Sequence, residues 1–327
     1  MDGALAAARA LHFAATISLA GVFIAEWLIV PRGSARAGFR TPIFPALPAR
    51  LTILAWASLA VLVLSGAGWL IAVAAEMSGE PLSAAISHGI WVVALNSTRF
   101  GEDWLMRLIA AGFVALCLIL RQWRGIGRRV ADGAALFFSA FLLAALAWAG
   151  HGAATPGPPG RLHLAADILH LLAAACWLGT LVPLALLLAE AGRLMDPRVA
   201  AVTRHTVGRY SSLGIASVSL LLGSGIVNTW FLVGTPSALL HTLYGRLLVA
   251  KLALVLVMLA IAAVNLLRLR PILAEEGRAG GAARRLGRNV WLEAGTGLAV
   301  LAVVGVLGIT PPVDVAHTAP VAVSPRR

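Results

Sequence analysis

Residues 161–188 read RLHLAADILHLLAAACWLGTLVPLALLL, an apolar run whose first ten residues contain His163, Asp167 and His170. Their i, i+4, i+7 spacing places all three on one face of a helix. Imidazole is the commonest metal ligand, and a nearby carboxylate can orient it by accepting the second ring N–H. The spacing therefore predicts a metal site. The competing reading is an interfacial His163 and a structural, hydrogen-bonded His170. His12 occupies a similar depth near the start of the chain, and His151 lies in the Gly/Pro-rich AWAGHGAATPGPPG. Both are added as candidate ligands, with Met77 as a further one. Imidazole suits copper, zinc, iron and nickel, and thioethers favour Cu(I). Five methionines form no ladder, so copper is permitted without being singled out.

These side chains need a scaffold, and composition says what kind. The chain has 327 residues, 60% of them hydrophobic and 12% charged, with a mean hydropathy of +0.88. A soluble domain carries about 25% charged residues. The apolar runs have the length of roughly 20 residues that crosses a bilayer core, and they lack the alternation of a membrane barrel. The expected fold is an all-α integral membrane protein. Eight spans are read at about 4–30, 51–75, 104–120, 131–149, 163–189, 211–233, 244–267 and 290–309. The segment 76–103 is read as interfacial or re-entrant.

The net charge of +12 would suggest nucleic acid in a soluble chain. Here its placement gives direction instead, and no nucleic-acid partner is expected. Arg32, Arg36, Arg40 and Arg50 share the first connecting loop. Arg121, Arg124, Arg128 and Arg129 share the third, and Arg193, Arg198, Arg204 and Arg209 the fifth. The seventh holds Arg268, Arg270, Arg278, Arg284, Arg285 and Arg288. The positive-inside rule puts these alternate loops in the cytoplasm and both termini outside. His12, His88, His151, His163, His170, His241 and His317 then lie towards the outer face. The first span is too long and too weakly charged at its start for a cleaved signal peptide. Cys117 and Cys176 lie apart within apolar runs and carry no redox signal.

Three ordered matches suggest a duplication. LHFAATISLAG from Leu11 resembles LHLLAAACWLG from Leu169, so His12 and His170 each precede a glycine, Gly21 or Gly179, by nine residues. Ser65-Gly66 aligns with Ser224-Gly225. TRFGEDWLMRL from Thr98 aligns with TLYGRLLVAKL from Thr242. The offsets are 158, 159 and 144 residues; the drop points to a longer loop in the first half. Four spans per half make the repeats parallel, related by an axis along the membrane normal. The expected domains are 1–150 and 151–327, each a four-helix repeat.

Arg107 and Lys251 take matching places within the membrane. Intramembrane cations are costly and are usually paired or functional; the alternative is snorkelling to the headgroups. Tyr244, Lys251, Met258 and Asn265 recur every seven residues as an inward stripe. Asn228 marks close packing or a helix break. Trp177 shares the His170 face, with core packing as its alternative role. Arg107, Asn228, Tyr244, Lys251, Met258 and Trp177 are the candidate pathway or gating residues. Glu26, Asp132 and Glu293 are read as anchors or helix caps, with membership of a relay as the alternative; Trp27, Trp69, Trp91, Trp104 and Trp230 are read as an interfacial belt. No Walker A, phosphorylation, HExxH or dinucleotide motif occurs, so no enzyme activity, no catalytic residue and no cofactor-binding residue is expected.

Three stretches, ADILHLLAAACWLGTLVPLALLL (166–188), GRYSSLGIASVSLLLGSGIVNTWFLVG (208–234) and TLYGRLLVAKLALVLVMLAIAAVNLLRLRP (242–271), resemble the CopD family of copper-resistance inner-membrane proteins. The CopD-like segment covers about 205–310. The resemblance implies copper as the transported substrate, crossing the bacterial inner membrane with uptake as the favoured direction. It also implies a small periplasmic copper-binding partner of the CopC type. It supports His170, Trp177, Gly225, Asn228, Tyr244, Gly245 and Lys251 as functional positions. Conduction is expected along the seam between the halves. Two other readings compete: a haem-binding electron-transfer protein with His12 and His170 as axial ligands, and a non-transporting partner or sensor.

Overall fold

The computed structural model describes residues 2–29, 43–122, 126–150, 157–194, 196–273, 275 and 278–312. His151, and with it one proposed ligand, lies outside the described residues. The described chain is helical throughout. Eight helices are long and apolar enough to cross a membrane: α1 (Asp2–Leu28), α2 (Leu47–Ser78), α5 (Arg99–Leu120), α6 (Arg129–Ala149), α7 (Gly157–Ala191), α8 (Pro197–Val233), α10 (Leu243–Ile272) and α11 (Ala279–Leu307). Three short helices join them: α3 (Leu82–Ser87), α4 (Ile90–Ser97) and α9 (Pro236–His241).

Local chemistry sets the ends. Thr98 and Thr242 cap α5 and α10, each side-chain oxygen accepting from the backbone N–H three residues on, Gly101 or Gly245, at 3.0 Å. Asp196 caps α8 by accepting from the Arg198 N–H at 2.8 Å, with Pro197 in the first turn. Gly79, at φ 73°, takes the left-handed conformation that ends α2. The 76–103 segment forms α3 and α4, and α4 packs Ala94 against Leu70 and Ala74 of α2. Only α9 stands in the corresponding place of the second half. The stretch of sequence over which the offset falls from 159 to 144 residues therefore holds two short helices in one place and one in the other.

α1 and α7 form the centre. In both, 67% of the apolar window is buried, against 11% in α8 and 6% in α10. α1 packs on α2, α6, α7 and α11; α7 packs on α6, α8 and α11. Where α1 meets α7, a Cβ on Gly21 would overlap the Gly179 backbone, so the two helices are in backbone contact there. Three turns widen to π geometry: Ala25–Ile29, Ala175–Gly179 and Asn265–Leu269. Such turns cluster at functional sites.

Several expectations need correction. Trp69 is no belt residue: it is 1% exposed and packs among helices. Trp230, 73% exposed, does face outward. Glu293 is no cap. α11 begins at Ala279, because the Gly/Arg-rich residues before the apolar stretch continue the helix, so Glu293 lies deep in it and is 1% exposed. Glu26 and Asp132 do anchor, through Arg121, at 2.6 and 2.8 Å.

Candidate functional site

Two polar clusters form at the end of the bundle where α1, α5, α7 and α10 begin. The first belongs to α1, α2 and α5. His12 is 5% exposed, and its Nδ1 lies 3.0 Å from the Leu62 carbonyl and 3.2 Å from Ser65 Oγ. The second belongs to α7, α8 and α10. His170 Nδ1 lies 3.0 Å from Ser224 Oγ and also meets the Leu221 carbonyl. Leu62 and Ser65 correspond to Leu221 and Ser224 at the same 159-residue offset. The following glycines leave room for the rings: a Cβ on Gly66 would sit 3.2 Å from His12 Cε1, and one on Gly225 would sit 3.6 Å from His170 Cε1.

These contacts fix the imidazole protons. Ser65 donates its single hydroxyl proton to the Val61 carbonyl at 2.6 Å, and Ser224 donates to the Leu220 carbonyl at 2.6 Å. Each hydroxyl oxygen can then only accept from the ring, and a backbone carbonyl only accepts. Nδ1 therefore carries the N–H in both histidines, which leaves Nε2 as the nitrogen with a lone pair. That is the state of a metal-ligating imidazole, with its second nitrogen donating to a neighbouring oxygen.

The His163–Asp167–His170 face of α7 lies along α8 as the spacing predicts. His163 stacks on Phe231, with centroids 4.8 Å apart; Asp167 Oδ1 accepts from Asn228 Nδ2 at 3.4 Å; His170 meets Ser224. His163 is a buried helical residue, 1% exposed, rather than an interfacial one. α8 runs unbroken past Asn228. Lys251 on α10 interacts electrostatically with both Asp167 and His170. Tyr244, 6% exposed, faces Asp167. Met258, 3% exposed, packs against Trp177 and Leu269 deeper in the bundle. The seven-residue stripe of α10 is thus its inward face.

In the first cluster Arg107 does not snorkel. It is 3% exposed, with its guanidinium 5.3 Å above Trp69 and its Nε donating to the Asp103 carbonyl at 3.2 Å. Arg9 covers the same indole at 4.6 Å, and His12 meets it edge-on at 5.5 Å. Arg9 escaped the sequence reading and Trp69 was assigned to the belt, because the partner of each is an aromatic or a cation on another helix. Trp104 completes the group by donating to the Gly66 carbonyl at 3.0 Å.

The proposed ligands other than His151, which lies outside the described residues, fall in separate places. Among the described residues, no three His, Cys, Asp or Glu side chains converge as a metal would require. The His12 ring contacts α2 and the His170 ring contacts α8. Met77, in the last turn of α2 beyond its buried face, is 62% exposed and joins neither cluster.

Known proteins resemble this chain over both halves. A family model described as "Copper resistance protein D-like, N-terminal domain" matches residues 1–161, and one described as "Copper resistance protein D" matches 204–307. Copper resistance protein D of Pseudomonas syringae pv. tomato is 32% identical over 285 residues, covering 85% of this chain and 86% of that one. The chain belongs to the copper resistance protein D family. The inner membrane protein YebZ of Escherichia coli (strain K12) is 31% identical, covering 63% of this chain and 67% of its own. The copper transport protein CutJ of Bacillus subtilis (strain 168) is 32% identical; the match covers 59% of this chain and 35% of that longer protein. No solved structure matches the chain. This family member is a multi-pass helical membrane protein, and its family is one of copper resistance and transport rather than of a known enzyme class.

Proposed function

We propose that the protein moves copper ions across the bacterial inner membrane, from the periplasm to the cytoplasm. The observation that carries this reading is the prepared state of His12 and His170. Two imidazoles, His12 buried and His170 half-buried, are each held at Nδ1 by a serine and a carbonyl, which leaves Nε2 to bind a soft or borderline cation. Both lie at one end of the bundle; the positive-inside rule applied to the arginine-rich loops of the sequence supports that end as periplasmic, with both termini outside. Asp167 supplies a carboxylate beside His170, and Lys251 is the fixed charge against which an arriving cation competes. His151 and His163 complete the capture set. Arg107, Trp177, Asn228, Tyr244 and Met258 line the route. The two halves act as parallel repeats, 1–150 and 151–327, each with one histidine station. A small periplasmic copper-binding protein of the CopC type delivers the ion; membership of the family is what supports that partner.

The test is copper uptake by proteoliposomes and by cells. His170→Ala is expected to abolish accumulation, and His12→Ala to reduce it. Uptake that persists unchanged in the double variant would overturn the reading. A purified protein that binds copper but passes none, with or without a periplasmic donor, would make it a docking or sensing partner instead.

A further inference from the structure

At the arginine end, opposite the histidines, lies a buried carboxylate that copper capture does not use. Glu293 of α11 is 1% exposed. Its Oε1 accepts the Trp177 indole N–H at 2.8 Å, and its Oε2 accepts from Asn265 Nδ2 at 3.5 Å. Asn265 is held in turn by Asn289, whose Nδ2 donates to Asn265 Oδ1 at 2.9 Å. Trp177 and Asn265 both sit in π-turns, Ala175–Gly179 and Asn265–Leu269. Two helices thus break regular geometry at the points where they reach one carboxylate.

A cavity of about 270 Å³ opens beside it, bordered by Trp177, Tyr210, Ser211, Asn265 and Glu293 among aliphatic residues. That volume exceeds the roughly 30 Å³ share of one water, and Tyr210, Ser211, Asn265 and Glu293 offer polar partners on an otherwise aliphatic wall. The buried Tyr210 hydroxyl faces the Trp177 indole and the Glu293 carboxyl. Arg209 and Arg268 flank Tyr210 and Asn265 in sequence, which places the cavity near the arginine end. No ion pair engages Glu293 among the described residues. Its neighbours are Trp177 from α7, Tyr210 from α8, Asn265 from α10 and Asn289 on its own helix. Of these, Tyr210 is the titratable one.

A carboxylate in a membrane interior with neutral donors alone is costly. The cost is relieved when the group takes a proton or meets a cation. Both oxygens already accept N–H groups, which suits exchange of a small proton better than a metal coordination shell.

We propose that Glu293 is a proton-exchange site, loading and unloading through the Tyr210 cavity in step with copper movement. A water in the cavity gives its proton to a Glu293 oxygen, and the carboxyl later returns it to water, so no further reactant is needed. The coupling part rests on the copper-transport reading; the proton site itself does not.

The test has two arms. Infrared difference spectra of the protein in liposomes, taken across pH, should show the C=O band of a titrating buried carboxyl that disappears in Glu293→Gln. A pH-sensitive dye inside the vesicles should show proton movement driven by added copper, lost in Glu293→Gln and slowed in Tyr210→Phe, which keeps the ring in place. A carboxyl band unchanged in Glu293→Gln, or copper uptake with no proton movement in the unaltered protein, would overturn the proposal and leave transport standing. A titrating Glu293 in vesicles that take up no copper would overturn the transport reading and keep the proton site. Should Glu293→Gln fail to fold, Glu293→Asp should shift the frequency and titration of the carboxyl band, and Tyr210→Phe should slow the copper-driven proton movement; a band unmoved in Glu293→Asp would overturn the proposal.

Discussion

At the scale of single residues, a serine decides what each histidine can do. Ser65 and Ser224 spend their protons on backbone carbonyls and so compel the imidazole to donate from Nδ1. Removing such a supporting partner typically costs about 10–100-fold in metal affinity. Ser65→Ala and Ser224→Ala should each weaken copper binding by roughly that factor without loss of helical content, as read by copper titration alongside circular dichroism. An unchanged affinity would mean that the serines merely fill space. The His–Ser correspondence was legible in the sequence as a spacing but not as a contact. Arg107 was legible as an anomaly but not in its solution. Its partner Trp69 lies on another helix, and nothing in a single chain of letters says which aromatic will cover which cation.

At the scale of helices, apolar length and cap residues gave the eight spans and the T-x-[FY]-G starts of α5 and α10. Hydropathy misplaced Glu293 because the helix extends beyond its apolar part: α11 starts eleven residues before the apolar run does. The glycines make a test at this scale. A Cβ at Gly21 would overlap the Gly179 backbone, whereas one at Gly68 meets nothing within 4 Å. Gly21→Ala should lower the melting temperature in detergent, by an amount corresponding to about 1–3 kcal/mol of overpacking. Gly68→Ala should be neutral or slightly stabilising, since alanine favours helix by up to about 1 kcal/mol. Equal melting of the two variants would show that α1 and α7 part easily at this point.

At the scale of the whole molecule, the distribution of arginines in the sequence predicts a sidedness that labelling can test. A cysteine at Arg193 should react with an impermeant thiol reagent only when the cytoplasmic face is open, and one at Ser237 only from the outside. The reverse pattern would turn the histidine end towards the cytoplasm and with it the direction of capture. The architecture also bears on how anything crosses. Where Gly21 meets Gly179, main chain rests on main chain, and the junction is closed to a particle as small as one water molecule. If the protein conducts copper, the ion does not pass between α1 and α7 at that point, and a path along the seam between the halves must skirt this contact.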